Sequence, residues 1–156
     1  SLHQQYNITL PEEEIPIEKI EIITWTSLRK AFIPKREECV LSAEVQRIYD
    51  AIIMKIKETR ISISPRIDKA IKRYWVVAAK HFEMDETKTD AEIVALDYAV
   101  AQRILPKIAG NGENFENWLS EFRSLCSGYS LNMSAKILKD IIERGNQQMK
   151  YYQFFC

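Results

Sequence analysis

Apolar residues recur at helix spacing along the chain from Ser42 onward, and this pattern constrains the fold more than any other feature. The first group comprises Val45, Ile48, Tyr49, Ile52 and Ile56. Such spacing places them on one face of a helix, with Ser42 positioned as its N-cap. Only four glycines occur in 156 residues, so few points interrupt this pattern. It predicts a mostly α fold, a helical bundle of about five helices.

A second helix is predicted to begin at Ser64. Serine is a favoured N-cap, and Pro65 suits the first helical position because that residue needs no hydrogen-bonding N–H. Its apolar stripe comprises Ile67, Ala70, Ile71, Tyr74, Trp75, Ala78 and Phe82.

A third helix is predicted from about Asp90 to Ile108. Its apolar residues form two seams, Ile93/Val100/Ile104 and Ala91/Val94/Tyr98/Ala101/Leu105/Ile108. A helix that is apolar on two sides is typical of the centre of a bundle. Pro106 is expected to kink or end it, and Gly110-Asn-Gly112 to close it.

Two further helices complete the predicted bundle. The fourth runs from about Glu113 to Cys126 and carries Phe115, Trp118, Leu119, Phe122 and Leu125. The fifth begins at Ser134 and stops between Gly145 and Met149. The aromatic tail at residues 151–155 either packs back on the bundle or binds a partner, and the first alternative is favoured because exposed aromatics are costly in water.

The N-terminal part lacks the helical pattern. Residues 1–41 are interpreted as an irregular arm or a connection from a missing upstream domain, and residues 42–156 as the helical domain. Ile20-Glu-Ile-Ile23 is the one strand candidate, since β-branched residues alternate there. The opening Ser1-Leu2, without methionine, is interpreted as a cloning remnant, and the chain is expected to be a segment cut from a longer protein.

Composition excludes several classes of function. Lysine plus arginine equals aspartate plus glutamate at 22 each, so the net charge is zero and general attraction to nucleic acid or membranes is not indicated. No apolar run approaches the roughly 20 residues that span a bilayer. Cys39, Cys126 and Cys156 lie far apart, which is typical of reduced thiols in a cytoplasmic protein.

The residues of common catalytic and metal centres are missing. His3 and His81 lie far apart and no cysteine pair has ligand spacing, so no metal site is predicted. No G-x-x-x-x-G-K-[ST] loop occurs, because none of the glycines precedes a lysine. No catalytic residue is therefore predicted in this chain by itself.

Arg66 is the principal candidate for a binding residue. It falls in the first turn of the second predicted helix, where free N–H groups and the helix dipole favour an anion such as phosphate. Lys69, Arg73 and Lys80 recur on the same side of that helix. The row is either a phosphate or nucleic-acid contact or a solvated polar face, and the residue pattern leaves both alternatives open.

Three segments resemble two neighbouring protein families. Leu96 to Gly110 reads LDYAVAQRILPKIAG and resembles the LDxxxxQKILPKIxG signature near the C-terminus of McrB-type AAA+ ATPases. Ser64-Pro-Arg66 is similar to the SPR segment of MoxR-type AAA+ proteins. The stretch from Leu131 to Asp140, with the aromatic tail, is similar to the terminal helix of the McrB-like group.

The resemblance implies the C-terminal helical lid of an AAA+ NTPase. Arg66 would be the sensor-2 arginine that reaches the γ-phosphate of ATP or GTP, held with Mg²⁺ by a core domain elsewhere. The implied partners are that core, neighbouring subunits of a ring and, in modification-dependent restriction systems, a nuclease subunit and DNA. The chain alone would be inactive although its parent protein hydrolyses NTP.

The sequence leaves open a second candidate for the sensor arginine and a second candidate function. Many McrB-like relatives carry a Tyr-Arg-Val segment where this chain has Ser-Pro-Arg, so Arg60 is a second candidate for the sensor. The alternative function is a free-standing helical interaction module that touches nucleic acid through Arg66, Lys69, Arg73 and Lys80.

Overall fold

The computed structural model describes residues 39–155, which form five helices and two short strands. In chain order the elements are α1 (Ala43–Lys57), α2 (Pro65–Phe82), α3 (Lys88–Arg103), a 3-10 turn (Leu105–Lys107), β1 (Ala109–Asn111), α4 (Glu113–Gly128), α5 (Asn132–Gln147) and β2 (Tyr151–Gln153). The mostly helical fold class is confirmed. The predicted strand at residues 20–23 and the predicted N-terminal arm up to residue 38 lie outside the described residues.

Helix α1 has the predicted core face and begins where predicted, after Ser42. The five residues expected on its apolar face are its buried residues. Ser42 occupies the N-cap position, yet its side chain caps no helical N–H. Its hydroxyl instead donates to Glu92 Oε2 at 2.9 Å, which ties the start of α1 to α3.

Helix α3 is the central helix, packed against α1, α2 and α5. Its buried residues are Ala91, Ala95, Leu96, Asp97, Ala99, Val100 and Ala101. The two predicted seams were partly wrong, because Ile93, Val94 and Tyr98 are only half-buried. Alanine side chains line much of the buried face, and their small size lets neighbouring helices approach closely.

Helix α3 ends before Pro106, as predicted, but the glycines that follow do not close it. The α-helix stops at Arg103, and Pro106 lies in the following 3-10 turn. Gly110-Asn-Gly112 does not close the helix: Gly110 and Asn111 belong to β1, and Gly112 is the N-cap of α4. Gly112 has φ +88°, a backbone conformation that glycine adopts without steric cost.

The C-terminal aromatic tail packs back on the bundle in part. β2 pairs antiparallel with β1, with Gly110 opposite Tyr152. Tyr152 is fully buried, whereas Tyr151 and Phe155 remain 47% and 65% exposed. A Cβ atom at Gly145 would lie 2.0 Å from the Tyr152 ring, so this glycine makes room for the tail within α5.

Helix α5 begins two residues before the predicted start. Ser134, the predicted first residue, is buried inside the first turn, and the capping carboxylate comes from Asp97 of α3. In the described part of the chain, no helix is long and apolar enough to cross a membrane.

Candidate functional site

The start of α2 leaves one backbone donor free in its first turn. Ser64 Oγ accepts from Ile67 N at 3.3 Å and Ser64 O accepts from Asp68 N at 3.0 Å, as predicted for an N-cap. Pro65 has no N–H to donate. The N–H of Arg66 has no hydrogen-bond partner among residues 39–155. An anion at this end of the helix would meet that N–H and the positive end of the dipole.

The Arg66 side chain is exposed and forms no ion pair with the described residues. The nearest acid in the sequence, Asp68, is already engaged. Tyr49 Oη donates to its Oδ1 at 2.8 Å, and Lys72 Nζ lies 3.0 Å from its Oδ2. Burial and this hydrogen bond to Asp68 raise the pKa of Tyr49, so the phenol stays a donor at neutral pH. Asp68 therefore does not neutralise Arg66.

The four predicted basic residues lie along one exposed face of α2. At about 100° per residue, positions 66, 69, 73 and 80 share a narrow sector of the helix, and Val77, 43% exposed, completes it. The buried residues of α2 occupy the opposite side: Ile71, Trp75, Ala78 and Ala79. We call Arg66, Lys69, Arg73 and Lys80 the cationic row. It extends over roughly 21 Å at 1.5 Å per residue.

No member of the cationic row forms an ion pair within the described range. Lysines that form ion pairs lie elsewhere: for example, Lys55, paired with Glu58, is on α1, and Lys72, paired with Asp68, is on another side of α2. Like charges three or four residues apart destabilise a helix by about 0.2–0.5 kcal/mol per pair. The row therefore does not contribute to folding, and its accessible charges are available to an anionic partner.

Arg60 lies outside the cationic row. It precedes α2 in the loop after α1 and lines a groove of about 1010 Å³ that also includes Lys107 and residues of β1 and α4. Arg66 does not line this groove. The two candidate arginines therefore do not share this groove, and only Arg66 belongs to the cationic row.

A family model described as a domain of unknown function, DUF8727, matches residues 17–151. This range covers most of the chain. The chain belongs to the DUF8727 family. No curated protein and no solved structure matches it.

The described part of this DUF8727 domain offers no group of three His, Cys, Asp or Glu side chains close enough to hold a metal ion. Cys126 is fully buried in the core. Burial, with a smaller effect of the Asp97 charge, raises the pKa of its thiol to about 12. A neutral, inaccessible thiol is a poor nucleophile, so the chemistry of this residue is that of a core side chain.

Asp97 of the DUF8727 domain has a structural role that the sequence did not predict. Its carboxylate is buried and accepts from Met133 N at 2.8 Å and Ser134 N at 2.9 Å. Both oxygens therefore cap the N-terminus of α5. The available signal was an acid within the apolar pattern of α3, but its partners lie 36 and 37 residues away.

Proposed function

We propose that this DUF8727 domain is a non-catalytic helical module that contacts phosphate through the cationic row of α2. The observation that carries the proposal is the exposed Arg66 in the first helical turn, with Asp68 occupied by Tyr49 and Lys72. A cation held on a rigid helix stabilises phosphate charge without having to be reorganised at the moment of reaction.

The favoured form of this function is a lid of an AAA+ NTPase of the McrB type, which follows from the resemblance of Leu96–Gly110 and Ser64–Arg66. In this form Arg66 contacts the γ-phosphate of ATP or GTP, which a core domain holds with Mg²⁺. Loss of the γ-phosphate removes the contact and releases the lid, which couples hydrolysis to motion between ring subunits. A nuclease partner, DNA restriction and a cytoplasmic location belong to the same proposal.

The lid function is tested by Arg66→Ala in the protein that carries this segment, with NTP turnover as the readout. We expect turnover to fall by roughly 10²-fold, as for loss of one preorganised donor to developing charge. Lys136→Ala on the exposed face of α5 is the matched control. Wild-type turnover in Arg66→Ala, with the fold intact, would contradict the sensor role. Arg60→Ala tests the second arginine in the same assay.

A second candidate function is binding of nucleic acid, favoured by the length of the cationic row. A single γ-phosphate requires only Arg66, whereas roughly 21 Å of exposed cations matches about six phosphates along one strand. Four contacts predict that the logarithm of the association constant falls with the logarithm of salt concentration at a slope of about −3 to −4.

Fluorescence anisotropy with labelled single-stranded and duplex DNA separates the two candidates. We expect a nucleic-acid module to bind at low salt and to lose about one unit of slope with each of Lys69→Gln and Arg73→Gln. Lys139→Gln on α5 is the control. Absence of binding at low salt eliminates this candidate and leaves the lid proposal untouched.

A further inference from the structure

The groove beside Arg60 is a feature that the cationic row does not use. It is bounded by the loop after α1, by β1 and by one face of α4, and its volume is about 1010 Å³. All three residues of β1 line it, and no residue of β2 does. The groove therefore lies on the side of β1 that faces away from β2.

The edge of β1 along this groove has free backbone hydrogen-bonding groups. Gly112 N donates to Lys150 O at 3.0 Å and Phe154 N donates to Ile108 O at 3.2 Å. In an antiparallel pair these bonds fall on alternate residues, so Gly110 also faces β2 while Ala109 and Asn111 direct their N–H and C=O groups to the opposite side. Within the described residues, these groups form no backbone hydrogen bond.

The floor of the groove adjoins this edge. A Cβ atom at Gly110 would lie 2.7 Å from the Phe115 ring, so the ring packs directly against the β1 backbone. Phe115 is half-buried and stacks on Trp118 with 5.4 Å between ring centroids. Asn114 and Asn117 line the same wall. A chain lying along β1 would place alternate side chains over an aromatic surface.

When Lys55, which binds both lining glutamates, is counted, the groove carries one excess positive charge, from Arg60, Lys107 and Lys55 against Glu58 and Glu121. Arg60 and Lys107 are exposed and form no ion pair among residues 39–155. The two lining glutamates, Glu58 and Glu121, are both engaged by Lys55. The excess charge at the groove is therefore cationic, and Arg60 and Lys107 are complementary to carboxylates.

From the free edge, the aromatic floor and these two cations we infer that the groove binds an extended acidic peptide segment of a partner protein, which adds to β1 as a third strand. The main chain of the peptide bonds Ala109 and Asn111, and its carboxylates meet Arg60 and Lys107. Strand addition of this kind supplies affinity through backbone bonds and specificity through alternate side chains.

The inference is tested with the 156-residue chain and a capped six-residue peptide of alternating glutamate and valine. In an NMR titration we expect the largest amide shifts at Ala109, Gly110 and Asn111. Ala109→Pro removes an edge N–H, and the extended backbone of Ile108 accommodates a following proline. We expect it to weaken binding about fivefold, the loss of one net hydrogen bond. Ala109→Ser keeps the N–H and is the matched control.

Two further measurements keep the test independent of folding defects. Protection of the Gly112 and Phe154 amides from exchange reports whether β1 and β2 stay paired in Ala109→Pro. A peptide N-methylated at alternate valines removes the donors from the ligand instead, and we expect it not to bind.

Charge reversal separates strand addition from plain electrostatic capture. We expect Arg60→Glu with Lys107→Glu to abolish binding, whereas Lys136→Glu does not affect it. The inference is overturned if the N-methylated peptide binds as well as its parent, or if the amide shifts map to the cationic row.

Discussion

At the scale of single residues, Asp97 links two helices of the bundle. Its carboxylate on α3 accepts from the backbone of Met133 and Ser134, while the Ser134 hydroxyl donates to Asp97 O at 3.2 Å. The residue at the N-cap position of α5, Leu131, has no side chain that can cap. One side chain therefore satisfies two N–H donors at the start of a helix that is distant in sequence.

We expect Asp97→Ala to lower the free energy of unfolding by roughly 3 kcal/mol, because it removes a cap and leaves buried N–H groups without partners. Asp97→Asn keeps one carbonyl oxygen, so we expect about half that loss. Chemical denaturation measures both. Asp140→Ala, at an exposed position of α5, is the control. A change below about 0.5 kcal/mol in Asp97→Ala would contradict the capping role.

At the scale of elements, the connection between α5 and β2 contains strained backbone. Met149 and Lys150 have φ of 55° and 60°, and Tyr151 N donates to Gln148 O at 3.1 Å. This is the pattern of a type I′ turn, which favours glycine or asparagine at its centre. Two ion pairs account for a lysine at this position: Lys150 Nζ lies 3.3 Å from Glu113 and 3.2 Å from Glu116. Met149 is 98% exposed.

We expect Met149→Gly to raise the free energy of unfolding by about 0.5–1 kcal/mol. Relief of left-handed strain exceeds the added entropy of a glycine in the unfolded chain. Thermal denaturation measures the effect, and Met149→Ala, which relieves no strain, is the control. Gln148→Gly next to it, at φ −114°, should destabilise instead. Equal effects of the two glycine substitutions would show that strain at Met149 is not the cause.

Helix α2 shows which features of an element can be predicted from its own sequence. The Ser64 cap and the Pro65 position were predicted correctly, and the four basic residues lie on one side of the helix as predicted, because each of these depends only on residues within a few turns of one helix. Whether the cationic row binds an anion stays a prediction. The free state of Arg66 was not predictable from this pattern. It depends on Tyr49 of α1, whose hydrogen bond helps to occupy Asp68.

At the scale of the whole molecule, buried groups with raised pKa values make folding stability depend on alkaline pH, and Cys126 and Tyr49 are two of them. Burial first, then the charge of Asp97, raises the pKa of Cys126 from 9.0 to about 12. Burial first, then the hydrogen bond to Asp68, raises the pKa of Tyr49 above its ordinary 10.0. In both cases the unfolded chain releases its proton at lower pH than the folded chain does, so folding stability falls as pH rises.

We expect the stability from these groups to be fully present below about pH 9. Stability should fall between pH 9 and 12, at about 1.4 kcal/mol per pH unit for Cys126 and more steeply once Tyr49 contributes above pH 10. Urea unfolding midpoints at pH 8, 9.5 and 11 measure this. Cys126→Ala removes one titrating group and should flatten the fall between pH 9 and 10. An unchanged slope would contradict the assignment to Cys126.

The sequence by itself determined the helices, the Ser64 cap and the position of the four basic residues on one side of α2, because each of these depends on residues within a few turns of one helix. Tertiary structure decided which face of α3 is buried, the pairing of β1 with β2, the capping of α5 by Asp97 and the groove that includes Arg60 but not Arg66. Each of these depends on groups tens of residues apart that meet only when the helices pack. Packing geometry between elements is therefore what the local pattern could not specify.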